Sequence, residues 1–403
     1  MKKSMIVAAM LAMVATGANA KSATDSATIA KNKPVFTVVK QNPITSIKDQ
    51  NRSGTCWAYS TLSYFESEIL KHTGKTYDLS EMFVANKTYM DRATMAVRMH
   101  GDVSFSQGGS AYDVLYALQH YGIVPEGAMP APGTLTGDSL ANFGEFFDVM
   151  TPYVEAVAKS NAKKISSAWK SGLQGIIDSY IGKTPEKFTY QGKQYTPQSF
   201  CQSLGLNLDD YVTITSYTHH PMWSKFAVEV QDNWRWPLSY NVPMDDLCKI
   251  IDNAINNGYT VAWGGDVTED GFTRKGLGIA YDVKKVRSMA GTDADHWFKL
   301  SKDEKKEKFD SLGVNAPEVV PTQAMRQEAF DNWETTDDHG MHIYGTAKDQ
   351  NGKEYYMVKN SWGEYGDYKG TWYMTKAFVA YKTMDFMVNK NAIPKDIRKK
   401  LGI

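Results

Sequence analysis

Cys56 stands in the stretch "QNRSGTCW", between a polar, glycine-bearing turn and the run "WAYSTLSYFESEIL", in a chain of 403 residues with only three cysteines. A thiol attacks as its thiolate, and a free cysteine is mostly protonated near neutral pH, so a nucleophilic role needs something that favours the anion. Two such devices are readable. Ala58, Leu62, Phe65 and Ile69 recur at helical spacing, which puts Cys56 at the start of a buried helix, beside unpaired N–H groups and the positive end of the dipole. An imidazole against the sulfur would do more, giving a thiolate–imidazolium pair whose ring later returns the proton. Of eight histidines, His339 opens a predicted strand in "TTDDHGMHIYG", and Asn360 closes the next strand in "VKNSWGEYG". Both belong to one predicted hairpin turning at Asn351-Gly352. The Asn360 carboxamide would accept from one ring nitrogen of His339 and leave the other for Cys56.

Other readings of these residues stay open. Cys56 could be an inert core thiol, and His342 could be the base in place of His339. His342 with Asp337 or Asp338 raises a metal site, although strand residues three apart face opposite sides. Asn360 could be an ordinary strand-end residue, Gly108-Gly109 a simple turn, and His219-His220 an exposed loop.

The elements that must position this chemistry follow from local pattern. The first third reads as helical: after "SQGGS", Ser110 and Asp113 form a cap with its third-position acid, Leu115 and Leu118 face inward, and Gly122 ends the helix. From about 133 to 240 the pattern reads as an insertion. Trp169, Leu173, Ile176, Ile177 and Tyr180 make an amphipathic helix, "FTYQGKQYT" a hairpin at Gln191-Gly192, and Pro197 starts a helix carrying Cys201. Cys248 sits in the helix opened by "VPMDDL". Cys201 and Cys248 either pair or lie in the core, as free cysteines usually do. The last third is β-rich, with strands at "YTVAWGGDV" and in the hairpin, and "SKDEKKEKFDSL" reads as a solvated helix face.

Composition bounds the rest. At 42% hydrophobic and 22% charged the chain is a folded globular protein. Forty-five basic residues balance forty-five acidic ones, which gives no electrostatic footprint for nucleic acid or an anionic membrane. The N-terminus "MKKSMIVAAMLAMVATGANA" combines Lys2 and Lys3, a short apolar run and Ala18-Asn19-Ala20, the pattern of a signal peptide cleaved after Ala20. Its apolar run falls short of the roughly 20 residues that span a bilayer. The expectation is a signal peptide at 1–20, a leader at 21–40, and an exported mature protein, periplasmic or extracellular, with no membrane association after signal removal.

The blocks "QNRSGTCWAYS", "DHGMHIYG" and "VKNSWGEYG" resemble the three catalytic blocks of papain-like cysteine peptidases, in the order Cys, His, Asn. Ser53 replaces the first cysteine of that signature, and the spacing from Cys56 to His339 is about twice the roughly 130–150 residues usual there. Both departures are similar to the branch of bleomycin hydrolases and bacterial aminopeptidase C, as are "FSQGGSAYDVLYALQHYGIVPEG", "SYNVPMDDL", "AWGGDV" and "NKNAIPKDI".

The resemblance implies an α+β, papain-like two-lobed fold over 41–403, with a helical left lobe, a β-rich right lobe and the large, mostly helical insertion. It implies Cys56 as nucleophile, His339 as proton shuttle, Asn360 as its orienting partner, and the Cys56 N–H with the Gln50 amide around the oxyanion. Trp362 would cover the His339–Asn360 bond, and Gly108 and Gly109 would offer backbone groups to an extended peptide substrate. No metal or organic cofactor is implied, and a homo-oligomer, hexameric by resemblance, is. Aminopeptidase action is implied by the family's C-terminal arm in the cleft. Here the chain ends earlier, at Leu401-Gly402-Ile403 after the basic Arg398, Lys399 and Lys400, so an endopeptidase with an open cleft stays as the alternative. So do a non-catalytic binding relative and an acyl or peptidyl transferase.

Overall fold

The computed structural model describes residues 32–132, 140–289 and 294–403. The expected signal peptide at 1–20 lies outside the described residues, as does the expected leader up to residue 31. The part of that segment within the structure runs into a strand, β1 (Thr37–Gln41). Among the described residues no helix is long and apolar enough to cross a membrane.

Helix α1 (Cys56–Thr73) is the helix that the apolar spacing predicts, and every residue from Trp57 to Ile69 is buried, polar ones included. A helix enclosed on all sides needs packing partners all round. On one side it meets α2 (Glu81–Arg98) and α3 (Ala111–His120), and on the other the strand His339–Lys348. It stops at Gly74, whose φ of +70° lets its N–H close on the Leu70 carbonyl. Helix α3 starts on the predicted Ser110–Asp113 capping box.

The region expected as an insertion divides in two. Helices α4 (Gly144–Ala158), α5 (Ala168–Tyr180) and α6 (Pro197–Ser203), with the hairpin β2 (Phe188–Tyr190) and β3 (Lys193–Tyr195), pack with α1 to α3 in one apolar core. The hairpin turns at Gln191 and Gly192, both at positive φ, as a two-residue loop requires. Beyond it, β4 (Tyr211–Thr215), β5 (Lys225–Phe226) and β6 (Ser239–Asn241) enter the main sheet. The β-branched and aromatic run "YVTIT" finds a partner far along the chain, in β13 (Thr383–Asn389).

That sheet holds the second lobe. Its central strands are β7 (Val261–Gly265), β10 (His339–Lys348), β11 (Glu354–Lys359) and β12 (Thr371–Thr375), with β8 (Phe272–Thr273) and β9 (Leu277–Gly278) at one edge. Strand β10 pairs antiparallel with β7, β11 and β1. Trp263, Met341, Ile343 and Val358 form a second core with α7 (Met244–Asn256), which turns Leu247, Ile250, Ile251 and Ala254 inward as its pattern predicts. Cys201 is buried, Cys248 is half-buried, and both are free thiols, so they do not pair with each other.

Leu62 has no exposure and belongs to the core shared by α1 and its neighbouring helices. Leu62→Ala is expected to lower the unfolding free energy by about 2–5 kcal/mol, read as a lower urea midpoint with unchanged slope.

Candidate active site

The turn before α1 is built from side-chain hydrogen bonds. Ser53, at the place where the papain signature has a cysteine, donates from Oγ to the Gln50 carbonyl at 2.6 Å and shares a 2.5 Å bond with Thr55 Oγ1. Thr55 then accepts from Ala58 N and Tyr59 N, at 2.9 and 3.1 Å, which makes Cys56 the first helical residue. Gln107 holds this turn to the next loop: its Oε1 accepts from Gly54 N at 2.7 Å and its carbonyl from Trp57 Nε1 at 3.0 Å. That leaves no room for side chains at the next two positions. A Cβ on Gly108 would lie 1.8 Å from the Asp232 carboxylate, and one on Gly109 would lie 2.9 Å from the Trp57 ring.

His339 opens β10 and is buried. Its Nε2 donates to Asn360 Oδ1 at 2.8 Å, and Trp362 lies over the ring with centroids 4.9 Å apart. An amide oxygen only accepts, so Nε2 carries the proton and Nδ1 keeps its lone pair. Asn360 is itself held, since its Oδ1 also accepts from Ser361 N at 2.8 Å and its N–H donates to the Gly370 carbonyl at 3.1 Å. The same loop ties back to the turn before Cys56 through Gln50 N, which donates to the Ser361 carbonyl at 2.8 Å, and through the bridge from Asp49 to Trp362.

Cys56, His339, Gly108 and Gly109 line one cavity of about 160 Å³ at the junction of the two lobes. Asn360 and Trp362 stand behind His339 and do not line it. Nor does Gln50: its Oε1 accepts from Ser361 Oγ at 2.6 Å and its Nε2 donates to the Ser53 carbonyl at 2.7 Å. One Nε2 proton is left over for another acceptor. His342 points the other way, with Nδ1 bonded to Ser63 Oγ of α1 at 2.9 Å, and does not line the cavity that Asp337 and Asp338 line. This separates His342 both from the sulfur and from the two aspartates considered as co-ligands.

Among the described residues, one group of three side chains comes close enough to share an ion: His219, His220 and Glu229, with ligand atoms within 4.8 Å of one another. Each Glu229 oxygen already takes one imidazole Nε2, at 3.0 and 2.9 Å.

Burial governs the electrostatics. It pushes the Cys56 thiol up to about 11, against the N–H groups of Gly340 and Trp57, while Asp337 and Asp232 raise it further. It pushes His339 down to about 4, against the hydrogen bond that the ring donates to Asn360. The start of a helix therefore does not ionise this thiol by itself, because losing water opposes the anion more than the N–H groups favour it. Each group alone rests neutral. Sequence reasoning missed what else acts on the sulfur, the N–H of Gly340 and the carboxyl of Asp232, and weighed Asp337 only as a metal ligand. It also missed Asp385 in the cavity lining. Asp232 and Asp385 carry no local signal.

A model of the Peptidase C1-like family matches residues 2–402. Aminopeptidase G of Lactobacillus delbrueckii subsp. lactis is 23% identical over 397 residues, which cover 89% of this chain and 84% of that protein. Bleomycin hydrolase of Rattus norvegicus is 22% identical over 417 residues, covering 92% and 86%. The crystal structure of PepW from Lactobacillus rhamnosis HN001 aligns with a TM-score of 0.65 at 19% identity, over 94% of this chain and 86% of that one. The fold is thus the papain-like α+β fold expected from the motifs.

His339 binds a proton at its ordinary 6.5 when unfolded and at about 4 when folded. A lowered folded value means stability is lost as pH falls from about 6.5 towards 4, by roughly 3 kcal/mol in all. His339→Gln removes that proton, so its urea-unfolding free energy should vary less with pH across this window than that of the unmodified protein.

Proposed function

We propose, from the premise that the chain belongs to the Peptidase C1-like family, that it is an exported cysteine peptidase that releases residues from the amino end of peptides. The observation that carries this reading is the cavity shared by Cys56, at the first position of α1, and His339, whose ring is fixed by Asn360 at 2.8 Å. Removal of single amino-terminal residues is supported by the relatives named aminopeptidase, and export by the N-terminal pattern ending at Ala20.

In the proposed reaction a peptide carbonyl enters the cavity against the sulfur. The thiol proton passes to Nδ1 of His339 as sulfur attacks the carbonyl carbon, so thiolate and imidazolium form together in a site that disfavours either alone. The oxyanion is held by the backbone N–H of Cys56, one of the unpaired donors at the helix start, and by the remaining Nε2 proton of Gln50. The tetrahedral intermediate collapses as His339 gives its proton to the leaving amine, leaving a thioester on Cys56. Water then attacks that thioester, its proton going to His339 and on to the departing sulfur. Asn360 keeps the ring in the tautomer that works in both directions, and Trp362 shields their bond from water.

A second reading, endopeptidase cleavage, draws on the placement of the C-terminal helix Lys395–Leu401. Its Ile397 and Leu401 pack in the second core, and no residue beyond Asp385 lines the cavity.

Cys56→Ala is expected to reduce peptide turnover at least about a thousand-fold with the fold intact by circular dichroism. For one peptide offered with a free and with an acetylated amino end, kcat/KM should favour the free form by about 100-fold. Equal turnover of the two would establish the endopeptidase reading, and full activity in Cys56→Ala would remove both.

A further inference from the structure

The cavity beside Cys56 is lined by four aspartates, Asp232, Asp337, Asp338 and Asp385, and by neither lysine nor arginine, in a chain whose overall charge balances. Two of the four are already matched. Asp232 is paired with the buried Arg92 at 3.1 Å. Asp338 accepts from Thr336 Oγ1 at 2.9 Å and Val267 N at 3.3 Å, and the neighbouring Asp266 raises its acid range.

The other two lack a counter-charge. Asp385 receives only a long bond from Ser239 Oγ, at 3.4 Å. Asp337 is half-buried, lines the cavity and has neither a hydrogen bond nor an ion pair among the described residues. Burial raises the acid range of both, Asp385 to about 6 and Asp337 well above the ordinary value. A half-buried carboxylate without a partner is disfavoured, so a cation that enters here gains more than it would at an exposed acid.

Placement narrows what that cation is. Asp385 on β13 lies opposite Gly264 on β7, and Gly264 lies opposite Gly340 on β10, whose backbone touches Cys56. Two glycines therefore keep the path between carboxylate and sulfur open. The path is about two strand spacings, roughly 10 Å. A carbonyl carbon in attack contact with sulfur, its own α-nitrogen, and one hydrogen bond beyond that together span about 8–9 Å.

We propose that Asp337 and Asp385 form the subsite that receives the free α-ammonium of the peptide substrate. This deepens the aminopeptidase reading and rests on it. The charge that meets the substrate's amino end is supplied by side chains of the sheet, since residues 395–403 do not line the cavity. The subsite also acts on the nucleophile: Asp337 opposes the Cys56 thiolate, and an ammonium beside it offsets that opposition when substrate is bound.

Leucinol, which has a free ammonium and no scissile bond, tests this by calorimetry against N-acetyl-leucinol. The protein should bind leucinol at least about 10-fold more tightly, and Asp337→Asn and Asp385→Asn should each reduce that preference several-fold, as expected for a hydrogen bond to a charged group. Equal binding of the two compounds by the unmodified protein overturns the proposal, and this comparison needs no variant to fold. An unchanged preference in both folded variants overturns it too. If the variants lose affinity for N-acetyl-arginyl-glycinamide and not for leucinol, the subsite takes a basic side chain instead, which also overturns it. A retained leucinol preference in a protein without peptide turnover supports the subsite and counts against the catalytic reading alone.

Discussion

The site depends on how closely the first turn of α1 lies against the opening of β10. A Cβ on Gly340 would stand 2.6 Å from Ser60 Oγ and 3.3 Å from the Cys56 carbonyl, so only a residue without a side chain permits this approach. The contact brings the sulfur from the helical lobe to the cavity that the ring from the sheet lobe also lines. Neighbouring features keep it from relaxing. The turn before Cys56 is fastened to Gln107 on one side and to Ser361 and Trp362 on the other, and α1 is buried in the helical core and against β10 and β7.

Close packing sets the chemistry as well as the distance. Excluding water raises the thiol and lowers the imidazole, and the N–H groups at the helix start offset only part of that. A pair that is neutral at rest and charged only in concert is suited to proton transfer during attack. The same burial leaves Asp337 and Asp385 without compensation, so the cavity joins a thiol that resists ionisation to carboxyls that favour a cation. A substrate with a free amino end would meet both at once.

Much of the local structure was legible. The helix from Cys56, the capping box of Ser110 and Asp113, and the tight turn at Gln191-Gly192 follow from spacing and turn chemistry. The hairpin with His339 at the start of one strand and Asn360 just past the end of the other does too. That β4 to β6 join the main sheet was not: the link is the pairing of β4 with β13, far along the chain, which no local pattern shows. The orientation of Gln50 was also hidden, because it depends on Ser361, some three hundred residues away.

The amino-acid sequence by itself determined which groups are available: one thiol at a helix start, an imidazole and a carboxamide on one hairpin, and glycines where backbones must meet. These are set by backbone periodicity and turn preference, which act over a few residues. Only the tertiary structure decided that His339 and not His342 faces the sulfur's cavity, that burial outweighs the helix start, and that aspartates from three separate segments gather there, two of them without a counter-charge among the described residues. Desolvation and the distance between remote side chains are properties of the packed chain, and no stretch of sequence carries them alone.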